Sequence, residues 1–264
     1  MAVVESVERI TPNLVRIIAG GAGLADVEDK GFTDSYVKIL FADPALGLEP
    51  PFNLANLRET LPPEQLPVTR TYTVRWFDLE NQRLALDVVV HGDSGIAAPW
   101  AASAMPGNRF AFHGPSGAYA PAPHTRFHVF AGDHSALPAI TAALERLPED
   151  ARGVAHIELT DARDIIHPNA PEGVELNWLI NEDVHDVDLL ARTLDAGPWG
   201  ESDGVFVFAH GERESIKAVR RVLARRGITR ESISISGYWA RGRAEDVFQA
   251  EKRLPIGKIE EDAA

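Results

Sequence analysis

The chain has 264 residues, 45% hydrophobic and 25% charged, with a formal net charge of -13 and no cysteine. That length allows two ordinary cores in a soluble globular protein, while the acidic balance argues against nucleic acid or an anionic membrane as partner. Without cysteine there are no disulfides, thiolate metal sites or cysteine-ligated iron-sulfur clusters, so any electron chemistry needs an organic cofactor or haem.

The opening MAVVESVERI carries acidic residues and lacks the apolar core of a signal peptide. The uncharged stretch 94–108 is broken by Pro99 and Pro106 and falls short of the roughly 18 residues a membrane helix needs. No membrane insertion and a cytoplasmic location are expected.

The first half reads as short strands between turns: LVRIIAG (14–20), SYVKILF (35–41), RTYTVRWF (70–77) and LALDVVVHG (84–92). They are β-rich and bounded by Gly, Pro, Asp or Asn. Only a turn of helix over 96–104 is expected among them, which favours a small antiparallel barrel or sandwich. Alternation along RTYTVRWF puts Arg70, Tyr72 and Val74 on one side and Thr71, Thr73 and Arg75 on the other.

From Arg126 the pattern changes. FHVFAG (127–132) is a strand, followed by ALPAITAALERL with Leu137, Ile140, Leu144 and Leu147 at helical spacing. VAHIELT (154–160), VELNWLI (174–180), GVFVFAH (204–210) and ISIS (233–236) are further strands. VDLLARTL and ESIKAVRRVLARRG are helices, the second with Ile216, Val219 and Leu223 inward and Gly227 as its stop. Alternating strands and helices imply a parallel sheet covered on both faces, whose ligands bind beyond the carboxyl ends of its strands. The expected fold is therefore two-domain, an N-terminal antiparallel β-barrel followed by a C-terminal α/β domain with a parallel sheet. The Pro-rich APAPHT (120–125) marks the boundary, giving a barrel domain over 1–122, an α/β domain over 123–255 and an acidic tail over 256–264.

This order, with RTYT on a barrel strand, resembles the ferredoxin-NADP reductase superfamily, whose barrel holds a flavin through an R-x-Y-[ST] motif. More closely, the chain resembles the siderophore-interacting protein family of FAD-dependent ferric-chelate reductases. LVRIIAGGAGL, FTDSYVKILF, RTYTVR, LDVVVHG, WAASAMPGNRFAFHGPSG, FAGDHSALPAI, FAHGERESIKAVRRVL and GYWARGRAED occur in the family's order over nearly the whole chain.

The resemblance implies a set of cofactor residues. Arg70 would meet the FAD pyrophosphate as a charge-assisted pair. Tyr72 would pack on the flavin or ribityl chain, and Thr73, beside Thr71, would lie near flavin N5. The segment from Asp87 through Val89 would present backbone groups to the ring edge, with His91 close by. Gly95, Ala97, Ala98 and Ala101 would supply small residues and a helix start for the pyrophosphate. Trp100 is a flavin or adenine contact or a core residue. Asp133 and Ser135 in GDHSALPA would receive NADH or NADPH at a helix start; Asp161 and Arg163 leave NAD or NADP open. Trp239, Arg241 and Arg243 would face the ferric siderophore.

The chain departs from the family pattern at Ile96, where proline is common, at His134 and Ser135, where Glu-Thr is common, and at Ala240, where a second arginine is common. There is no G-x-G-x-x-G fingerprint. Asp133, His134 and Ser135 are the residue types of a hydrolase triad, but adjacent residues cannot converge on one atom and no G-x-S-x-G elbow is present. The nine histidines show no zinc spacing on a helix, so no metal site is expected. The implied activity is NAD(P)H-dependent, FAD-mediated reduction of ferric siderophores to iron(II), in which the flavin carries the chemistry and no side chain is catalytic. Alternatives are a reductase fed by ferredoxin, a flavin reductase and a siderophore-binding protein without turnover.

Overall fold

The computed structural model describes residues 1–90, 95–197 and 204–259. The chain divides into two compact units, Met1–Ala118 and Tyr119–Ala264.

The first unit is a closed antiparallel barrel. Its strands are β1 (Ala2–Thr11), β2 (Leu14–Gly20), β3 (Tyr36–Phe41), β4 (Val68–Asp78), β5 (Arg83–Val89) and β6 (Arg109–Ser116), in the order β1-β2-β5-β4-β3-β6. Its core gathers Val15, Ile17 and Ala19 of β2, Val37 and Ile39 of β3, Val74 of β4, and Leu84, Leu86 and Val88 of β5. Two helices accompany the barrel, α1 (Leu54–Thr60) and α2 (Ala97–Ser103).

Strands β1 and β6 and helix α1 escape sequence reading for local reasons. Register shifts at Val4/Ser6 and Arg9/Thr11 interrupt the alternation of β1. Strand β6 contains Gly114 and Pro115, residues that usually end a strand. Helix α1 buries no residue and is started by Asn53, whose side chain accepts from the Asn56 N–H at 3.1 Å. A short exposed helix of this kind has no apolar stripe to read.

The second unit is a five-stranded parallel sheet. It contains β7 (Phe127–Asp133), α3 (Leu137–Leu144), β8 (Gly153–Leu159), β9 (Val174–Ile180), α4 (Leu189–Ala196), β10 (Val205–Glu212), α5 (Arg213–Arg225), β11 (Ile233–Trp239) and α6 (Glu245–Glu251). The strand order is β11-β10-β7-β8-β9. Ile216, Val219 and Leu223 of α5 are fully buried with Leu190 and Leu194 of α4 against Val129, Ala131, Val207 and Ala209 of the sheet. Helix α3 covers the other face, where Gly132 lies close to Ala136 and Ile140.

Tyr119 is buried with its ring 4.8 Å from that of Phe208 and 5.4 Å from that of Phe206. The second unit therefore starts at Tyr119, and the Pro-rich stretch lies inside it rather than before it. No described helix is long and apolar enough to cross a membrane.

The chain builds strands β7, β8 and β9 outward in one direction and then returns to place β10 and β11 on the other side of β7. This reversal creates a topological switch point between β7 and β10, where open parallel sheets bind ligands beyond the strands' carboxyl ends.

Candidate functional site

In the barrel, the decisive feature is where β4 and β5 part. Their pairing runs from Asp78–Arg83 to Val74–Leu86 and goes no further. Beyond it β4 pairs with β3 through Thr73–Tyr36 and Val68–Phe41, while Asp87, Val88 and Val89 of β5 keep strand partners only on β2. A register shift at Val74/Trp76 assists the divergence, as bulges do by bending a strand. Arg70 to Thr73 on one strand and Asp87 to Val89 on the other thus stand either side of an opening whose β5 edge has no strand against it among the described residues. Such an edge offers backbone donors and acceptors to a planar ring.

Val68, Tyr72 and Val74 reach the core cluster, so the alternation expected for RTYT holds. Arg70 is half-buried and its guanidinium donates to the Thr69 carbonyl at 2.8 Å. Thr71 is exposed, and Thr73 is buried.

Asp87 has a different employment. Its carboxylate accepts two bonds from the Arg16 guanidinium, at 2.7 and 2.8 Å, and lies 3.8 Å from Arg75. The side chain is committed to pinning β2, β4 and β5 together, so only its backbone is open to a cofactor role. Val89 is half-buried at the end of β5. His91 lies outside the described residues.

Gly95 has φ +82°, a conformation that strains any residue with a Cβ. It leads into α2, where Ala97, Ala98 and Ala101 are buried in the barrel core. Their small side chains let the short helix lie close to the barrel. Trp100 meets Phe41 and Phe110 edge-on, at 5.4 and 5.5 Å between ring centroids, and packs on the same core. Of the two readings open for Trp100, these contacts are those of a core residue. An arginine beside a buried hydroxyl, a free strand edge and a glycine-led helix start fit a flavin dinucleotide.

In the second unit, the carboxyl ends of three strands meet on Asp133. Its Oδ1 accepts from the Ser135 N–H at 2.8 Å and the Ser135 hydroxyl at 2.5 Å. Its Oδ2 accepts from the Glu212 N–H at 2.8 Å and the Trp239 indole at 2.7 Å. Four donors saturate the carboxylate. Asp133 and Ser135, expected where a dinucleotide would meet N–H groups at a helix start, bond each other and fix the turn that presents the backbone between β7 and α3. Gly211 makes the approach possible, because a Cβ there would come within 2.8 Å of the Asp133 carboxyl carbon.

Around this hub the polar groups are unusually enclosed. Glu212 caps α5 by accepting from the Glu214 and Ser215 N–H groups and holds the Arg241 N–H at 3.0 Å. Arg241 lies over the Trp239 ring at 5.4 Å, with its Nε buried and without a partner among the described residues. Glu158 accepts from Asn181 at 2.9 Å through Oε1, while its buried Oε2 has no partner among the described residues. Burial pushes the Glu158 carboxyl above the usual range, against the Asn181 bond and the Arg241 charge. Arg243, expected to face the ferric siderophore, bonds Glu251 at 2.8 Å. Asp161 and Arg163 bond each other, at 2.5 Å for the closest pair. Glu158, Asn181 and Glu212 were not singled out from sequence; their position at strand ends is the signal that finds them.

Comparison with known proteins agrees in both units. Residues 3–119 match the siderophore-interacting FAD-binding domain, and residues 125–242 match the siderophore-interacting protein model. A protein of Mycobacterium tuberculosis, Rv2895c, is 39% identical over 95% of this chain and 93% of its own length. The chain belongs to the siderophore-interacting protein family. Ferric vibriobactin reductase ViuB of Vibrio cholerae is 31% identical over 93% of this chain and 90% of its own. The crystal structure of a siderophore utilization protein from T. fusca is 36% identical, covers 92% of this chain and 93% of its own, and superposes with a TM-score of 0.80.

The FAD-binding match spans residues 3–119, and so includes both separated strands and the Gly95 turn. The second match reaches from β7 to Gly242 and so contains the Asp133 hub and Trp239 with Arg241.

Proposed function

We propose that this protein is an FAD-dependent ferric-siderophore reductase that takes electrons from NADH or NADPH and releases iron as iron(II). The match of the barrel to a siderophore-interacting FAD-binding domain carries the reading, and ViuB, a ferric vibriobactin reductase by name, supports the substrate class. A nicotinamide donor puts the reaction in the cytoplasm.

Bound FAD supplies the conversion between a two-electron hydride donor and a one-electron acceptor. Iron(II) is held less tightly than iron(III) by hard oxygen ligands, so reduction loosens the chelate. The chain's own part is to bind and orient. Arg70 would neutralise the pyrophosphate, Tyr72 would pack on the flavin or its ribityl chain, and the Thr73 hydroxyl would serve the reacting edge. Asp87 and Val89 contribute backbone groups, and Gly95 opens the start of α2 to a phosphate.

The turn fixed by Asp133 and Ser135 receives the dinucleotide through backbone N–H groups. Trp239 and Arg241 meet the ferric siderophore, the arginine supplying charge to an anionic chelate. Arg243 is a weaker contributor because Glu251 already neutralises it.

The test is direct. Purified protein is expected to show flavin absorption and to form iron(II), trapped by a ferrous chelator, when given a ferric siderophore and NADH or NADPH. Reduced ferredoxin serves as a third donor arm. Colourless protein that binds ferric chelate without producing iron(II) would make it a carrier instead.

A further inference from the structure

The nicotinamide donor proposed above seats its pyrophosphate at the turn between β7 and α3, and this inference rests on that reading. In open parallel sheets the neighbouring ribose lies at the carboxyl end of the second strand, where a carboxylate bonds the 2′-OH of NAD or an arginine takes the 2′-phosphate of NADP. The second strand here is β8, beside β7 and on the side away from β10. Past its last residue, Leu159, come the two residues that the sequence leaves open between the donors, Asp161 and Arg163.

These two act as one group. The Asp161 carboxylate accepts from the Arg163 backbone N–H at 2.9 Å, from its Nε at 3.0 Å and from its Nη2 at 2.5 Å. The guanidinium fork is thus matched to a carboxylate of its own turn, as it would otherwise match a phosphate. Arg163 is the only lysine or arginine within 160–191. Arg192, the next along the chain, is bonded at 2.9 and 2.6 Å to Asp186. Neither guanidinium offers a 2′-phosphate an open fork.

Asp161 itself is still able to bind. The Arg163 bonds lower its carboxyl to about 2, so it is ionised at neutral pH. Three N–H groups occupy a carboxylate with about four acceptor positions, and the side chain is 25% exposed. One more donor can be taken. A ribose hydroxyl supplies it, whereas a 2′-phosphate dianion has no proton to give and meets like charge.

We propose that Asp161 selects NADH over NADPH as the electron donor, by accepting a ribose hydroxyl and by holding Arg163 away from a 2′-phosphate. Stopped-flow reduction of the bound flavin by each donor reads the preference, and calorimetry with NAD+ and NADP+ reads it without turnover. NADH is expected to be favoured by about tenfold or more, the worth of one charge-assisted hydrogen bond. Asp161→Asn keeps the shape of the side chain and frees the Arg163 fork, so NADPH should gain on NADH by about tenfold or more. FAD content and dithionite reduction should stay at the parent level. Adding Arg163→Gln should cancel most of the gain. NADPH equal to or better than NADH in the parent, an unchanged preference in Asp161→Asn, or a gain that survives Arg163→Gln in full would overturn the inference and leave the reductase standing. If neither dinucleotide reduces the flavin while dithionite does, the nicotinamide reading fails and this inference fails with it.

Discussion

Replacing Asp133 with asparagine keeps the shape of the side chain and removes one acceptor oxygen from a group that now serves four donors. If the amide nitrogen faces Glu212 and Trp239, the buried Glu212 N–H loses its acceptor while the exposed indole turns to water. If it faces Ser135, the hydroxyl can reverse and accept, but the Ser135 N–H is stranded. Either way one backbone donor is orphaned, costing about 1 to 3 kcal/mol, and the remaining bonds lose their ionic partner. A total of about 3 kcal/mol is expected, which lowers Tm of the second unit by roughly 6 to 12 °C. The turn between β7 and α3 also loses its anchor. Flavin reduction by NADH or NADPH should therefore slow by about tenfold or more, while reduction by dithionite stays unchanged. Differential scanning calorimetry and stopped-flow absorbance measure the two effects. A variant that melts within about 2 °C of the parent and accepts hydride at the parent rate would refute the hub.

Arg70→Ala should weaken FAD binding by about 1.5 to 3 kcal/mol, the worth of a hydrogen bond to a charged group, without unfolding the barrel; flavin titration of apoprotein checks it, and an unchanged dissociation constant removes Arg70 from the cofactor site. Arg241→Gln should raise KM for an anionic ferric siderophore more than Arg243→Gln does, since Glu251 already neutralises Arg243; equal effects would place the chelate elsewhere. Burial lowers the folded-state pKa of His128 to about 4 and of His210 to about 3. Their stabilising contribution is complete above the unfolded value near 6.5 and is lost as pH falls towards those folded values. The unfolding free energy of the second unit, from urea titration, should therefore fall between pH 6 and 4, by up to about 1.4 kcal/mol per pH unit for each histidine, and less steeply in His128→Phe.

Where burial follows a simple period, the sequence was readable. Helix α5 shows Ile216, Val219 and Leu223 inward as their spacing requires, and β7 and β10 appear as short, mostly apolar runs. Readability failed where backbone irregularity carries the structure. The bulges of β1 erase its alternation, and Gly114 with Pro115 disguises β6. The site divided along the same line. RTYT and the Gly95 turn were recognisable because they use specific residue types at fixed spacing. The separation of β4 from β5 was not, since it is a property of register, and no single residue announces where a ladder stops.

The polar residues selected from sequence also divide by employment, and this bears on how the site works. Asp87 and Asp133, the two carboxylates expected at cofactors, are each saturated by the protein's own donors. Facing a dinucleotide, either carboxylate would repel its phosphates. Bound internally, each does the opposite service. Asp87 ties Arg16 to β5 beside the opening in the barrel, and Asp133 locks the turn at the switch point so that backbone N–H groups are held in place. A site for an anionic cofactor in a chain of this charge must be lined by amides and a few arginines, with its carboxylates turned inward.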